Sequence, residues 1–141
     1  QNKCADIAPI YDCGSCLYPQ MDEIGMQKVL GDEKEIHQRV YLFPTSAILE
    51  QGKKIPYFDY ISSLKNEDCN QALQRIADRI DMDRLYALVE EAPFITELQK
   101  DFYRIMLSER KAKILDYSME LFLGHEITQK ERQDPYQLQL L

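Results

Sequence analysis

The residues best suited to chemistry sit near the start of the chain. Ala5-Asp6-Ile7-Ala8 reads as a short strand that leads through Pro9-Ile10-Tyr11 into Asp12-Cys13-Gly14. A carboxylate followed closely by glycine at a strand terminus forms a turn that presents Asp12 beyond the end of the strand. Enzymes place metal-binding carboxylates in this way, because a hard divalent cation takes carboxylate and phosphate oxygens. The bland reading is an ordinary Asp-x-Gly turn, with no chemistry attached.

Cys13-Gly14-Ser15-Cys16 overlaps the same stretch and has the spacing of a redox pair. A CxxC at a helix start can hold a low-pKa thiolate, but thioredoxin-like chemistry needs a βαβ frame, and this chain is patterned for helices. Zinc is the other option, through Cys4, Cys13, Cys16 and His37. Structural zinc usually takes two close pairs of ligands, and the sequence offers one. Both readings rank below the carboxylate. With Cys69 the chain has four cysteines, few for a disulfide scaffold. No charged and apolar leader opens it, so reduced thiols are expected.

The elements that must position Asp12 are helical. Met21–Leu30 and Glu33–Leu42 read as short helices separated by Gly31-Asp32, and Phe43-Pro44 ends the second. Ala47–Glu50 and Lys53–Ile55 flank Gln51-Gly52 as a small hairpin, and Tyr57–Leu64 reads as another short helix. Asn66 caps a helix with the apolar stripe Cys69, Ala72, Leu73, Ile76, Ala77 and Ile80. Asp81 caps the next, which carries Leu85, Leu88, Val89 and Ala92 and stops at Pro93. A long helix follows from about Phe94 or Thr96 to Leu123, with Thr96-Glu97-Leu98-Gln99 fitting a capping box and Gly124 the position after the C-cap. Its stripe runs Leu98, Phe102, Ile105, Ala112, Leu115, Met119 and Phe122, with a break at Glu109. The polar stretch from His125 to Leu141 is expected to drape over the surface or to serve an outside contact.

The 141 residues suit one domain, and 45% hydrophobic with 29% charged content is that of a globular chain. A net charge of −7 works against nucleic acid and anionic membranes. Arg110, Lys111 and Lys113, like Lys130 and Arg132, lie among acids and read as solvated mixed-charge faces. No apolar run approaches the length of a membrane span. Tyr57, Tyr60, Tyr103 and Tyr117 fall at or beside helical apolar positions, where a tyrosine packs its ring and keeps its hydroxyl wet. The chain starts at Gln1, so a processed or excised piece of a larger, soluble, intracellular protein is expected.

The segment Ala8-Pro9-Ile10-Tyr11-Asp12-Cys13-Gly14-Ser15-Cys16-Leu17-Tyr18-Pro19 resembles the HipA-like serine/threonine kinase family. Arg39-Val40-Tyr41-Leu42-Phe43-Pro44-Thr45-Ser46 and Tyr57-Phe58-Asp59-Tyr60 extend the likeness, which fades beyond about Ile80. The resemblance implies a mainly α fold, the helical C-terminal part of a kinase-like large lobe, with a short N-terminal strand and a small hairpin. It divides the single domain into a metal-aspartate segment (1–19), a helical body (20–124) and a C-terminal tail (125–141). Asp12 matches the family's Mg²⁺-binding aspartate, and the intact enzyme would take ATP and a protein substrate in the cytoplasm. The same likeness admits an antitoxin-type DNA-binding partner, with no direct nucleic-acid or membrane contact by this chain.

Kinases of this kind also need a catalytic-loop Asp and Asn upstream of the metal aspartate, a phosphate loop and a strand lysine. The residues before Asp12 contain none of these. The expectation is therefore a fragment that is inactive alone. The competing expectation is a non-enzymatic helical interaction or regulatory module, in which the opening segment is only a turn.

Overall fold

The protein is described here from a computed structural model, which describes residues 13–133. The expected strand at Ala5–Ala8, and Asp12 itself, lie outside the described residues. Within them the fold is mainly α, as the patterning predicts. Helix α1 (Glu23–Leu30) starts at Asp22, whose carboxylate accepts from the Gly25 amide at 2.8 Å. Helix α2 (Glu33–Tyr41) starts at Asp32, which accepts from the Lys34 amide at 2.9 Å. Each cap satisfies an amide that the first helical turn would otherwise leave unpaired.

The hairpin is present as two short antiparallel strands, β1 (Leu49–Glu50) and β2 (Lys53–Lys54), with Leu49 opposite Lys54 and Glu50 opposite Lys53. Its turn residues Gln51 and Gly52 both have positive φ, 50° and 79°, the backbone sense that matches the strands' twist in a two-residue turn. Helix α3 spans Tyr57–Ser62. Helices α4 (Glu67–Ala77) and α5 (Met82–Glu91) are capped by Asn66 and Asp81 as expected, through the Cys69 and Arg84 amides.

Helix α6 (Glu97–Arg110) opens on the expected capping box, in which Thr96 and Gln99 bond each other's backbone amides. Beyond Arg110 the expectation of one regular helix fails. Residues Lys111–Asp116 form a π-helical segment, and α7 then runs Tyr117–Gln133. Gly124 is inside α7 and is not a C-cap; Gly52 is the described glycine with positive φ. The apolar stripe stops near Leu123, but the helix continues through a sequence of good helix formers, among them Glu126, Gln129, Lys130 and Glu131.

The π segment also changes which face is buried. The buried residues are Phe102, Met106, Ile114 and Ser118, whereas Ala112 is exposed. These positions are spaced by multiples of four, with Arg110 completing the series. The wider π turn stretches the mean repeat beyond 3.6 residues, so the buried face follows the fours. The core forms where Met26 and Val29 of α1 meet Phe102 and Met106 of α6, all at 1% exposure or less. Burying each such side chain stabilises by about 1.5–3 kcal/mol. In α4, Leu73 and Ala77 are buried, and Asn70 joins them by donating to the Leu64 carbonyl at 2.9 Å. Ile76 and Leu88, counted in the expected stripes, are instead exposed.

Candidate functional site

The residues directly after Asp12 are held by the core. Cys13–Cys16 form a turn closed by the Cys16 amide on the Cys13 carbonyl at 3.2 Å. A second turn follows, from the Tyr18 amide to the Ser15 carbonyl at 3.3 Å. Tyr18 takes a left-handed backbone conformation, φ 56°, which costs a non-glycine residue and persists only where its surroundings fix it. Here they do: Leu17, Tyr18 and Met21 pack on the core cluster, and the Tyr18 ring meets Phe102 edge-on at 6.2 Å.

The strongest tie is Arg110, the last residue of α6. Its Nη1 donates to the Cys16 carbonyl at 2.7 Å. Its Nε and Nη2 donate to the Arg39 carbonyl at 3.3 and 3.1 Å. Nη2 also reaches the Tyr18 hydroxyl at 3.2 Å and the Phe43 carbonyl at 3.3 Å. Tyr18 Oη in turn donates to the Phe43 carbonyl at 2.7 Å. One planar guanidinium thus joins the opening turn, the end of α2 and the loop after it. The fixed fork of five N–H donors makes this possible, and a lysine could not reproduce it.

Electrostatics follow from this packing. Burial pushes the Tyr18 phenol above its ordinary value, against the opposing pull of Arg110 and, more weakly, Arg39. The guanidinium carbons of Arg110 and Arg39 lie 5.5 and 5.9 Å from the Tyr18 ring centroid, within cation–π range. Arg39 is itself held by Glu35, whose carboxylate is kept below its ordinary value chiefly by the Arg39 hydrogen bond.

Arg110 therefore corrects the reading of the basic cluster around it as a solvated face. Its signal lay in its register: it occupies the core-facing position between Met106 and Ile114. The segments brought together, Cys16–Tyr18 and Arg39–Phe43, are two of those that carry the family resemblance. Tyr57–Tyr60 lies on α3, beside the same C-terminal end of α2, where Tyr41 meets Phe58 at 4.7 Å. Cys16 is an exposed free thiol, and Cys69 is half-buried, with its pKa raised by that burial. Among the described residues no group of three or more His, Cys, Asp or Glu side chains could hold a metal ion, so Cys13, Cys16 and His37 do not assemble as a zinc site. Among the same residues no helix is long and apolar enough to cross a membrane.

No model of a known protein family matches the chain. It is 46% identical over 125 residues to the serine/threonine-protein kinase CtkA of Helicobacter pylori, a match covering 85% of this chain and 38% of that protein. Among solved structures it resembles a crystal structure of the Helicobacter pylori proinflammatory kinase CtkA, with a TM-score of 0.78 and 44% identity. That likeness covers 84% of this chain and 43% of the solved one, so the chain spans less than half the length of the kinase it matches and carries the fold of part of it.

Proposed function

We propose that the chain is the C-terminal part of a HipA-like protein serine/threonine kinase that transfers the ATP γ-phosphoryl group to a protein substrate. The observation that carries this reading is the 46% identity to a serine/threonine kinase along most of the chain. The family likeness of residues 8–19 supports it. So does the Arg110 clamp, because a metal-binding aspartate works only if the backbone beside it is held still.

In this reading Asp12 supplies a carboxylate to Mg²⁺, and the bound ion offsets charge on the phosphates during transfer. The chain's own task is positioning: the helical body fixes Cys16 and Tyr18, and through them the end of the segment that bears Asp12. Residues 1–19, 20–124 and 125–141 then act as metal-aspartate segment, supporting body and tail. In this reading the nucleotide lobe and catalytic loop are supplied by parts of the longer protein outside these 141 residues, and that protein would work in the cytoplasm. An antitoxin-type DNA-binding partner fits the same reading.

The test is to incubate the longer protein and the 141-residue chain separately with γ-labelled ATP and Mg²⁺. Label on serine or threonine in the longer protein, and none with the chain alone, is the expected result. An inert longer protein would favour the non-enzymatic helical module instead.

A further inference from the structure

A second site lies where α2, α3, the π segment and α7 meet. It is an open cleft of about 590 Å³ whose lining includes His37, Tyr41, Phe58, Asp59, Tyr117 and Glu120. The aromatic rings form a continuous series. His37 and Tyr41 are 4.6 Å apart, Tyr41 meets Phe58 edge-on at 4.7 Å, and Phe58 stacks on Tyr117 at 5.8 Å with 28° between planes. Tyr117 remains 44% exposed, so the series ends on an accessible ring.

The charges around these rings have one sign to offer. Neither the Asp59 nor the Glu120 carboxylate has an ion-pair partner among the described residues. The cation at the cleft edge, Lys113, is already committed: its ammonium pairs with Glu109, and that hydrogen bond is the main cause of its raised pKa. The π segment contributes Ala112 and Lys113 to the same wall, and such interruptions of α-helix occur often at functional sites. Aromatic faces beside unpaired carboxylates are complementary to a cation and repel phosphate.

The geometry points to this cleft as a docking site for an arginine side chain on a basic segment of another protein. Arginine suits it better than lysine. A planar, weakly hydrated guanidinium can lie on an aromatic ring while donating to a carboxylate, whereas an ammonium is a compact and strongly hydrated charge. The site does not depend on Asp12, on a metal or on phosphoryl transfer, so it stands or falls apart from the kinase reading.

The probe is an acetylated, amidated tri-arginine peptide, titrated into the isotope-labelled 141-residue chain and followed by amide and aromatic NMR shifts. Tri-lysine and tri-glutamate peptides are the comparisons. Saturable shifts centred on Tyr41, Phe58, Asp59, Tyr117 and Glu120 are expected, with tri-arginine binding several-fold tighter than tri-lysine. The double variant Asp59→Asn/Glu120→Gln should weaken tri-arginine at least ten-fold. Asp83→Asn/Glu91→Gln removes the same charge from α5, outside the cleft, and should leave affinity within about two-fold. Tyr117→Ala should erase the preference for arginine over lysine. Equal losses in the two double variants, or shifts spread over the acidic surface, would reduce the effect to net charge and overturn the assignment. Absence of binding would do the same.

Discussion

Arg110 and Tyr18, 92 positions apart, are joined twice: Nη2 of the arginine donates to the phenol oxygen at 3.2 Å, and its guanidinium carbon lies 5.5 Å from the ring centroid. Through this pair the end of α6 holds the turn that follows Asp12, and both residues share the Phe43 carbonyl as an acceptor.

Removing the guanidinium should therefore loosen three segments at once. Arg110→Ala is expected to cost about 2–4 kcal/mol, since it removes the donor to the Cys16 and Arg39 carbonyls, leaves the Phe43 carbonyl with Tyr18 as its remaining donor, and opens a gap beside Tyr18. At roughly 3 °C per kcal/mol for a chain of this size, Tm falls by about 6–12 °C. Arg110→Lys keeps the charge and most of the stem but lacks the fork, and should recover less than half of the loss. Thermal unfolding of the three proteins decides this; full rescue by lysine would mean that charge, not the fork, matters.

Tyr18 gives the clamp a pH signature. Its folded pKa is raised above the ordinary tyrosine range near 10, chiefly by burial. A raised acid favours the protonated form on folding, so its contribution is fully present below the unfolded pKa and is lost as pH climbs through the folded one. Stability measured by denaturant should decline as pH rises above about 10, and Tyr18→Phe should flatten that decline. An identical slope in the variant would place the titrating group elsewhere.

Gly124 separates two accounts of the chain's end. Inside a helix, glycine costs about 0.5–1 kcal/mol relative to alanine, and a Cβ added at Gly124 meets nothing within 4 Å. Gly124→Ala should raise Tm by about 2–3 °C. A left-handed C-cap glycine would respond in the opposite direction, so a lowered Tm would contradict the continuous α7.

What could be read from the sequence, and what could not, divides by range. Asn66, Asp81 and Thr96 act on amides three residues away, so the helix starts they announce were legible, as was the turn at Gln51-Gly52; Asp22 and Asp32 cap just as locally, and the structure adds them. The π segment was not, because nothing local distinguishes Lys111–Asp116 from ordinary helix except a stripe that breaks near Glu109. Arg110 was hidden for the same reason. Its partners lie 67 to 94 positions away, and a lone arginine beside Lys111 reads as surface until the face it occupies is known. Gly124 was misplaced as a C-cap because the apolar stripe ends near Leu123, whereas backbone helix can continue past the last apolar position.

The most direct test of the central claim compares Asp12→Ala with Asp6→Ala in the longer protein, reading γ-phosphoryl transfer from ATP alongside melting temperature. Both variants remove one carboxylate from the same opening segment, and the proposed reading gives a metal role to Asp12 alone. Loss of a Mg²⁺ ligand where charge accumulates is worth several kcal/mol, on the order of 10²–10⁴ in rate. Asp12→Ala should show that loss with its melting temperature unchanged, while Asp6→Ala stays within a few-fold of the parent. Equal activity in the two variants would contradict the metal role of Asp12, and with it the reading of this chain as the metal-bearing part of a kinase.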